Sequence, residues 1–307
     1  RPPLLKLPLK QLLLALGAAA TLYALVLLLT GGTPALALLQ RLVSPTGLAA
    51  AALCLLSYVL RGLRWRIWMA HYQRPLGLFE GLRLYLAGYT FTPTPGNIGE
   101  AARGLMLARQ PLGAVQSLSI FGAERLADLL CLLLLSLPGV WWLLVLQAPS
   151  GWLPALAMTA GVGTLLGIAL FFKYSAAWLT RFIWIRQAWQ CLSTRPLTWL
   201  ALTLVAWAAQ GLAVWLVCAD SGIDIGILLA AGFYALAMVG GALSMLPAGL
   251  GGMEALLTGL LVAHGAALGV AVAVTVSVRL LTLWLAVAIG AAALLYSAAI
   301  HKDIRLS

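Results

Sequence analysis

Charge is what this chain has least of: 9% of its residues are Asp, Glu, Lys or Arg, against about 25% in soluble globular proteins. With 63% hydrophobic residues and a mean hydropathy of +1.02 over all 307 residues, that scarcity excludes a large soluble catalytic domain. The bilayer is the main solvent. Metal-site and nucleotide signatures are missing too. Cys54, Cys131, Cys191 and Cys218 form no C-x-x-C and have no nearby His, so they read as lone buried thiols and no metal or other cofactor is expected. There is no G-x-x-x-x-G-K-[ST] for a nucleotide phosphate and no Asp-x-Asp, so ATP is not the direct driver of anything this chain does. Acidic residues are the scarcer sign, 8 against 19 Lys and Arg. On a soluble domain the net +11 would point to nucleic acid; here the cations sit between apolar runs, so no nucleic-acid partner is expected.

What is present is apolar length. A membrane-crossing helix needs about 20 apolar residues, and six runs qualify, at 11–30, 47–66, 115–146, 153–172, 197–218 and 269–300. Arg1, Lys6 and Lys10 ahead of the first run have the outline of a signal peptide, but Leu12 to Leu29 is too long for one and reads as a retained span. Two more apolar stretches, 84–110 and 226–264, are broken by Thr-Pro-Thr-Pro-Gly-Asn-Ile-Gly (92–99) and Leu-Pro-Ala-Gly-Leu-Gly-Gly (246–252). Breaks at membrane depth are tolerated only inside protein or beside a watery cavity, so each is expected to be a re-entrant helical hairpin. Pro95, Gly96 and Gly99 would form one tip, and Pro247, Gly249, Gly251 and Gly252 the other.

Lys and Arg accumulate on the cytoplasmic side of membrane proteins. With both termini cytoplasmic and both hairpins returning to the side they entered, segments 1–10, 61–83, 101–112, 173–196 and 301–307 hold 16 of the 19 cations. Within 174–195, Trp178, Phe182, Ile185, Trp189 and Leu192 keep helical spacing while Arg181, Arg186 and Arg195 fall off that stripe. The segment therefore reads as an amphipathic helix on the inner leaflet, meeting anionic phospholipid, or packed on the protein's own cytoplasmic face. The run Arg-Gly-Leu-Arg-Trp-Arg at 61–66 reads as an interfacial anchor.

An offset of 154 residues maps Pro93 onto Pro247, Glu100 onto Glu254 and Arg125 onto Arg279. The expected fold is all-α: a single polytopic membrane domain over 1–307 with about six full spans and two hairpins. A first repeat at 47–172 and a second at 197–300 are inverted relative to each other, the construction many transporters use around a central site. Ionisable groups in apolar segments cost about 2.5–3.5 kcal/mol each on insertion scales and normally pair. Six stand out: Glu100, Glu124, Arg125, Asp128, Glu254 and Arg279. The plain alternative is that these form ion pairs holding the hairpins. For Arg125 and Arg279, bidentate recognition of a phosphate in one shared cavity is the expected role, with Arg103 and Asn97 beside them. Glu124 and Asp128, at i and i+4, share a helix face where one could exchange a proton, Asp128 being the better fit for a structural hydrogen bond. His264 reads as an interfacial residue at the hairpin exit.

Thr-Pro-Gly-Asn-Ile-Gly-Glu-Ala-Ala-Arg (94–103), Glu124-Arg125-Leu-Ala-Asp128 and Leu-Pro-Ala-Gly-Leu-Gly-Gly-Met-Glu (246–254) followed by Arg279 resemble the lysylphosphatidylglycerol synthase transmembrane region family, which includes the flippase half of the multiple peptide resistance factor. The resemblance runs from about residue 47 to 300 and implies lipid translocation in a bacterial or archaeal cytoplasmic membrane. No synthase domain accompanies it in this sequence, which leaves the headgroup open among aminoacyl-phospholipid, glycolipid and polyprenyl-phosphate types, and makes a lipid-synthesising enzyme an expected partner. The competing functions are a membrane-embedded glycosyltransferase or lipid-modifying enzyme, and a scaffold of a lipid-synthesis complex.

Overall fold

The computed structural model describes residues 40–94, 98–101, 103–104, 111–145, 181–244, 249–297 and 299. The spans expected at 11–30 and 153–172, tip residues Pro95, Gly96 and Pro247, and Asn97 lie outside these. Every regular element among the described residues is helical: α1 (Pro45–His71), α2 (Leu78–Ala87), α3 (Ala114–Val145), α4 (Ile183–Ser193), α5 (Pro196–Asp220), α6 (Ile227–Leu243), α7 (Gly252–Ala263), α8 (Leu268–Arg279) and α9 (Leu285–Tyr296). Tight single turns follow α2 at Gly88–Phe91 and occupy Ile98–Ala101, and a wider π turn, Leu280–Trp284, joins α8 to α9. Among the described residues, four helices are long and apolar enough to cross a membrane: α1, α3, α5 and the continuous run Leu268–Tyr296. The chain is an all-helical polytopic membrane protein.

The local sequence explains the helix starts. Ser44 accepts a hydrogen bond from the Gly47 N–H at 3.1 Å and Pro45 takes the first turn, where its missing N–H costs nothing. Pro196 opens α5 in the same way behind Arg195, which is left-handed at φ 49°. At the start of α7, Glu254 reaches back to accept from the Gly251 N–H at 2.7 Å.

Helices α1 and α5 pack extensively and run antiparallel. Trp68 meets Trp199, Arg64 meets Thr203 and Arg61 meets Gln210, so one number rises as the other falls. Helices α6 and α7 form an antiparallel hairpin by the same reading: a Cβ at Gly240 would strike Leu256, one at Gly241 would strike Met253, and one at Gly252 would touch Ser244. Between the two helices Gly249 and Gly251 take φ of 65° and 85°, which glycine adopts without a steric penalty. Both α6 and the turn after α2 approach a distant helix closely. A Cβ at Gly139 of α3 would lie 3.1 Å from the Gly232 backbone of α6, and one at Gly290 of α9 would lie 2.7 Å from the Thr90 nitrogen just after α2.

Shifted by 154 residues, α1 overlies α5, α2 falls within α6, the turn Ile98–Ala101 falls on the start of α7, and α3 starts where α8 starts. The match has one break. Helix α3 is continuous, with Pro138 inside it, whereas its counterpart contains the π turn. There Tyr58 donates its hydroxyl to the carbonyls of Leu281 at 2.8 Å and Thr282 at 3.1 Å.

One expectation needs correcting. The run 61–66 is no interfacial anchor: Arg61 and Arg64 are buried, Arg64 completely, because they fall on the same face as Tyr58, Trp65 and Trp68, which α1 turns into the protein. Of the segment 174–195, residues 174–180 lie outside the described residues, and α4 covers Ile183–Ser193 of the remainder. It seats Ala188 and Cys191 inward while Phe182, Ile183 and Trp189 stay exposed, and Trp68 Nε1 donates to the Cys191 carbonyl at 2.8 Å. The four cysteines are free and buried.

Candidate functional site

The ionisable residues of the first half close into a ring. Glu100 meets Arg103 at 3.2 Å; Arg103 meets Glu124 at 3.3 Å; Glu124 meets Arg64 at 3.9 Å; Arg64 meets Asp128 at 2.7 Å; Asp128 meets Arg125 at 3.2 Å; and Arg125 returns to Glu100 at 3.5 Å. Signs alternate all the way round, so each carboxylate is shared by two guanidinium groups and the ring is neutral in itself. Three segments supply it: the short turn after the first break, helix α3 and helix α1. It is almost wholly enclosed, and Arg125, with 34% of its side chain accessible, is its open edge.

Neighbouring groups fix the orientations. Thr92 donates to Glu100 at 2.8 Å. Asp128 accepts from Trp207 Nε1 at 3.2 Å as well as from Arg64, and Arg64 also donates to Thr203 at 3.0 Å, so the ring is tied to α5. The Arg103 guanidinium lies 4.1 Å from the Tyr85 ring centre. That position exists because residue 88 is glycine, where a Cβ would lie 2.2 Å from Arg103 Nε. Ser117 donates to the Ala101 carbonyl, fastening the turn to α3.

Beside the ring is a small pocket with room for about one water molecule, and its walls include Trp65, Glu100, Arg103, Ser117, Phe121 and Glu124.

A second, simpler pair occupies the other half. Arg279 donates from Nε to Glu254 Oε1 at 2.6 Å, while the other Glu254 oxygen caps α7 through Gly251. Glu254–Arg279 and Glu100–Arg125 are the pairs that the 154-residue offset makes equivalent, and both close. Of the residues flagged in the sequence, Glu100, Arg103, Glu124, Arg125 and Asp128 meet in one network. Glu254 and Arg279 meet each other instead, and neither Arg125 nor Arg279 is among the walls of the cavity. His264 caps the end of α7, with Nε2 3.1 Å from the Asp224 carbonyl and its ring near Trp142 and Phe233. No cluster of three or more metal-ligating side chains occurs among the described residues.

Arg61 and Arg64 are the site residues that sequence reading missed. Arg61 lies 3.9 Å from the Trp207 ring centre and donates to Gln210 at 3.3 Å, and Gln210 accepts from Tyr234 of α6 at 2.9 Å. The spacing Cys54, Tyr58, Arg61, Trp65, Trp68 is one helical stripe, and that stripe was the available signal.

The family model described as the lysylphosphatidylglycerol synthase TM region matches residues 12–290. No curated protein matches the chain.

Proposed function

Because the chain belongs to the lysylphosphatidylglycerol synthase transmembrane region family, we propose that it is a lipid translocase rather than an enzyme. It moves a phosphate-bearing headgroup past the buried charge network while the lipid tails stay in the bilayer. The observation that carries this reading is the ring itself. Placing its six ionised side chains in apolar surroundings costs roughly 18 kcal/mol at about 3 kcal/mol each, more than the 5–15 kcal/mol by which a whole domain is usually stable. Mutual pairing offsets much of that, but apolar residues of similar volume would hold the three segments together at lower cost. A scaffold has no use for the ring. A translocase does, because arginines already desolvated and oriented can exchange a carboxylate for a phosphate without reorganising.

In this reading the two halves are inverted repeats, supported by the antiparallel course of the equivalent helices α1 and α5 and by the two equivalent ion pairs. The broken segments are re-entrant hairpins, and the protein sits in a cytoplasmic membrane with both termini inside. The test is headgroup accessibility in reconstituted vesicles, following acyl-labelled phospholipid from the inner to the outer leaflet. Wild type should move label well above protein-free vesicles. Arg103→Lys, which keeps the charge but loses the planar fork facing Glu100 and Glu124, should slow it by about tenfold or more. Wild-type vesicles indistinguishable from empty ones for every phospholipid tried would transfer the protein to the scaffold class.

A further inference from the structure

The two halves hold their equivalent segments unequally. In the first, Glu100 meets Arg125 of α3 and accepts from Thr92, Arg103 meets Glu124 of α3, and Ser117 of α3 holds the Ala101 carbonyl. In the second, the positions of Arg64, Arg103, Glu124 and Asp128 are taken, after the 154-residue shift, by Cys218, Leu257, Val278 and Thr282. The charges of a second ring are not there. Helix α7 reaches α8 through the pair Glu254–Arg279 and through Thr258, whose hydroxyl lies 3.0 Å from that of Thr275. Each ring carboxylate must leave two arginines to come free, whereas Glu254 has only to part from Arg279. It is also the more open carboxylate, with 18% of its side chain accessible against 7% or less for the three in the ring.

The surroundings of α7 suit movement. Its seam with α6 is lined by Gly240, Gly241 and Gly252, and small residues let two helices lie close without interlocking side chains, the kind of contact along which packed helices shear. The α8 side is anchored: Arg279 is followed by the π turn, whose Leu281 and Thr282 carbonyls are held by Tyr58 of α1, the helix that also carries Arg64 of the ring. We infer that α7 is the moving element of the translocation cycle and that Glu254–Arg279 is the latch that holds it on α8, while the ring keeps the equivalent segment of the first half still. This rests on the translocase reading and adds which part moves. The contact of Glu254 with the Gly251 N–H lies at the start of α7 itself, so the helix keeps its cap when the latch opens. At its other end α7 stays tied through His264 and the Asp224 carbonyl, so the latched end travels furthest.

Two measurements test this, both with the four native cysteines replaced by alanine. The first locks α7 to α8. Oxidising Thr258→Cys/Thr275→Cys to the disulfide should slow headgroup movement in proteoliposomes by about tenfold or more, and reduction should restore it. A Cβ at Gly122 would lie 3.8 Å from that of Ala188, a usual disulfide spacing, so Gly122→Cys/Ala188→Cys locks α4 to α3 and should leave the rate unchanged. The second reads motion without lipid, by spin-label distances between the exposed Leu256 of α7 and Leu129 of α3. Wild type should show two distances, and Glu254→Gln, which keeps an oxygen for the cap and loses the charge, should enrich the minor one several-fold. Labels at Leu55 of α1 and Leu129 should give one distance in both proteins. Full-rate transport by the oxidised Thr258→Cys/Thr275→Cys protein overturns the inference and leaves the translocase reading standing. If wild type moves no lipid, the translocase reading fails by itself and the distances decide the latch: two populations redistributed by Glu254→Gln support it, and one unchanged distance overturns it. The same distances decide if the cysteine pair does not fold or does not oxidise.

Discussion

Arg64 and Arg125 show how differently two arginines of one ring are placed. Arg64 has no accessible side-chain surface and serves Asp128, Glu124 and Thr203, whereas Arg125 keeps a third of its side chain accessible at the ring's edge. Removing a partner from a buried ion pair costs about 3–5 kcal/mol because the other charge stays behind, while water or a lipid headgroup can replace a partner at an open edge. Arg64→Ala should therefore lower the melting temperature in detergent far more than Arg125→Ala, which should mainly slow lipid movement. Equal melting losses would mean that the ring is uniformly sealed. The contrast also marks what the sequence could disclose. Glu100, Glu124, Arg125 and Asp128 announce themselves because each stands in an otherwise apolar run. Arg61 and Arg64 are camouflaged by Arg66 and Arg74 nearby, and only the helical phase shared with Tyr58 and Trp65 separates buried cations from surface ones.

At the scale of elements, helix breaks were legible where Pro and Gly cause them and invisible where tertiary contacts do. Gly249 and Gly251 mark the α6–α7 turn from composition alone. Their left-handed conformation adds that valine at Gly251 would strain the backbone whatever it did to transport, so that substitution cannot separate folding from function. Nothing in Leu-Leu-Thr-Leu-Trp announces the π turn at 280–284. It persists because Tyr58, 223 residues away from Leu281, reaches across to its carbonyl and to that of Thr282, groups that widened turns leave poorly satisfied. Tyr58→Phe keeps the packing and removes the donor. It should cost about 1–2 kcal/mol, seen as a lower melting temperature together with faster hydrogen exchange confined to the 280–285 segment. A uniform increase in exchange would mean that Tyr58 supports the core generally and not the turn. Such turns often mark functional positions in helices, and this one directly follows Arg279.

For the whole molecule, the ends of α1 decide how the protein faces the membrane. Its 27 residues span about 40 Å at 1.5 Å per residue, enough to separate two aqueous faces. At one end His71 meets Thr194 and α4 folds beneath α1 and α5, and there Arg74, Arg181, Arg186 and Arg195 gather. At the other, Arg41 bonds Ser221 at 3.0 Å, and Asp220 and Asp224 are the neighbouring charges. Cations are retained on the cytoplasmic side, so the α4 end should be cytoplasmic and the loop after α5 exterior. The exposed Phe182, Ile183 and Trp189 of α4 would then enter the inner leaflet, with Arg181 and Arg186 at its anionic headgroups. Since the four native cysteines are buried, replacing them with alanine gives a background in which Asp220→Cys or Gln190→Cys can be read singly. A membrane-impermeant maleimide should label Asp220→Cys in intact cells and Gln190→Cys only after permeabilisation. The opposite pattern would invert the protein and place the open Arg125 edge of the ring in the other half of its path. Labelling of both in intact cells would break the link between α4 and the cytoplasmic face, and the charge distribution would then have to be explained by packing alone.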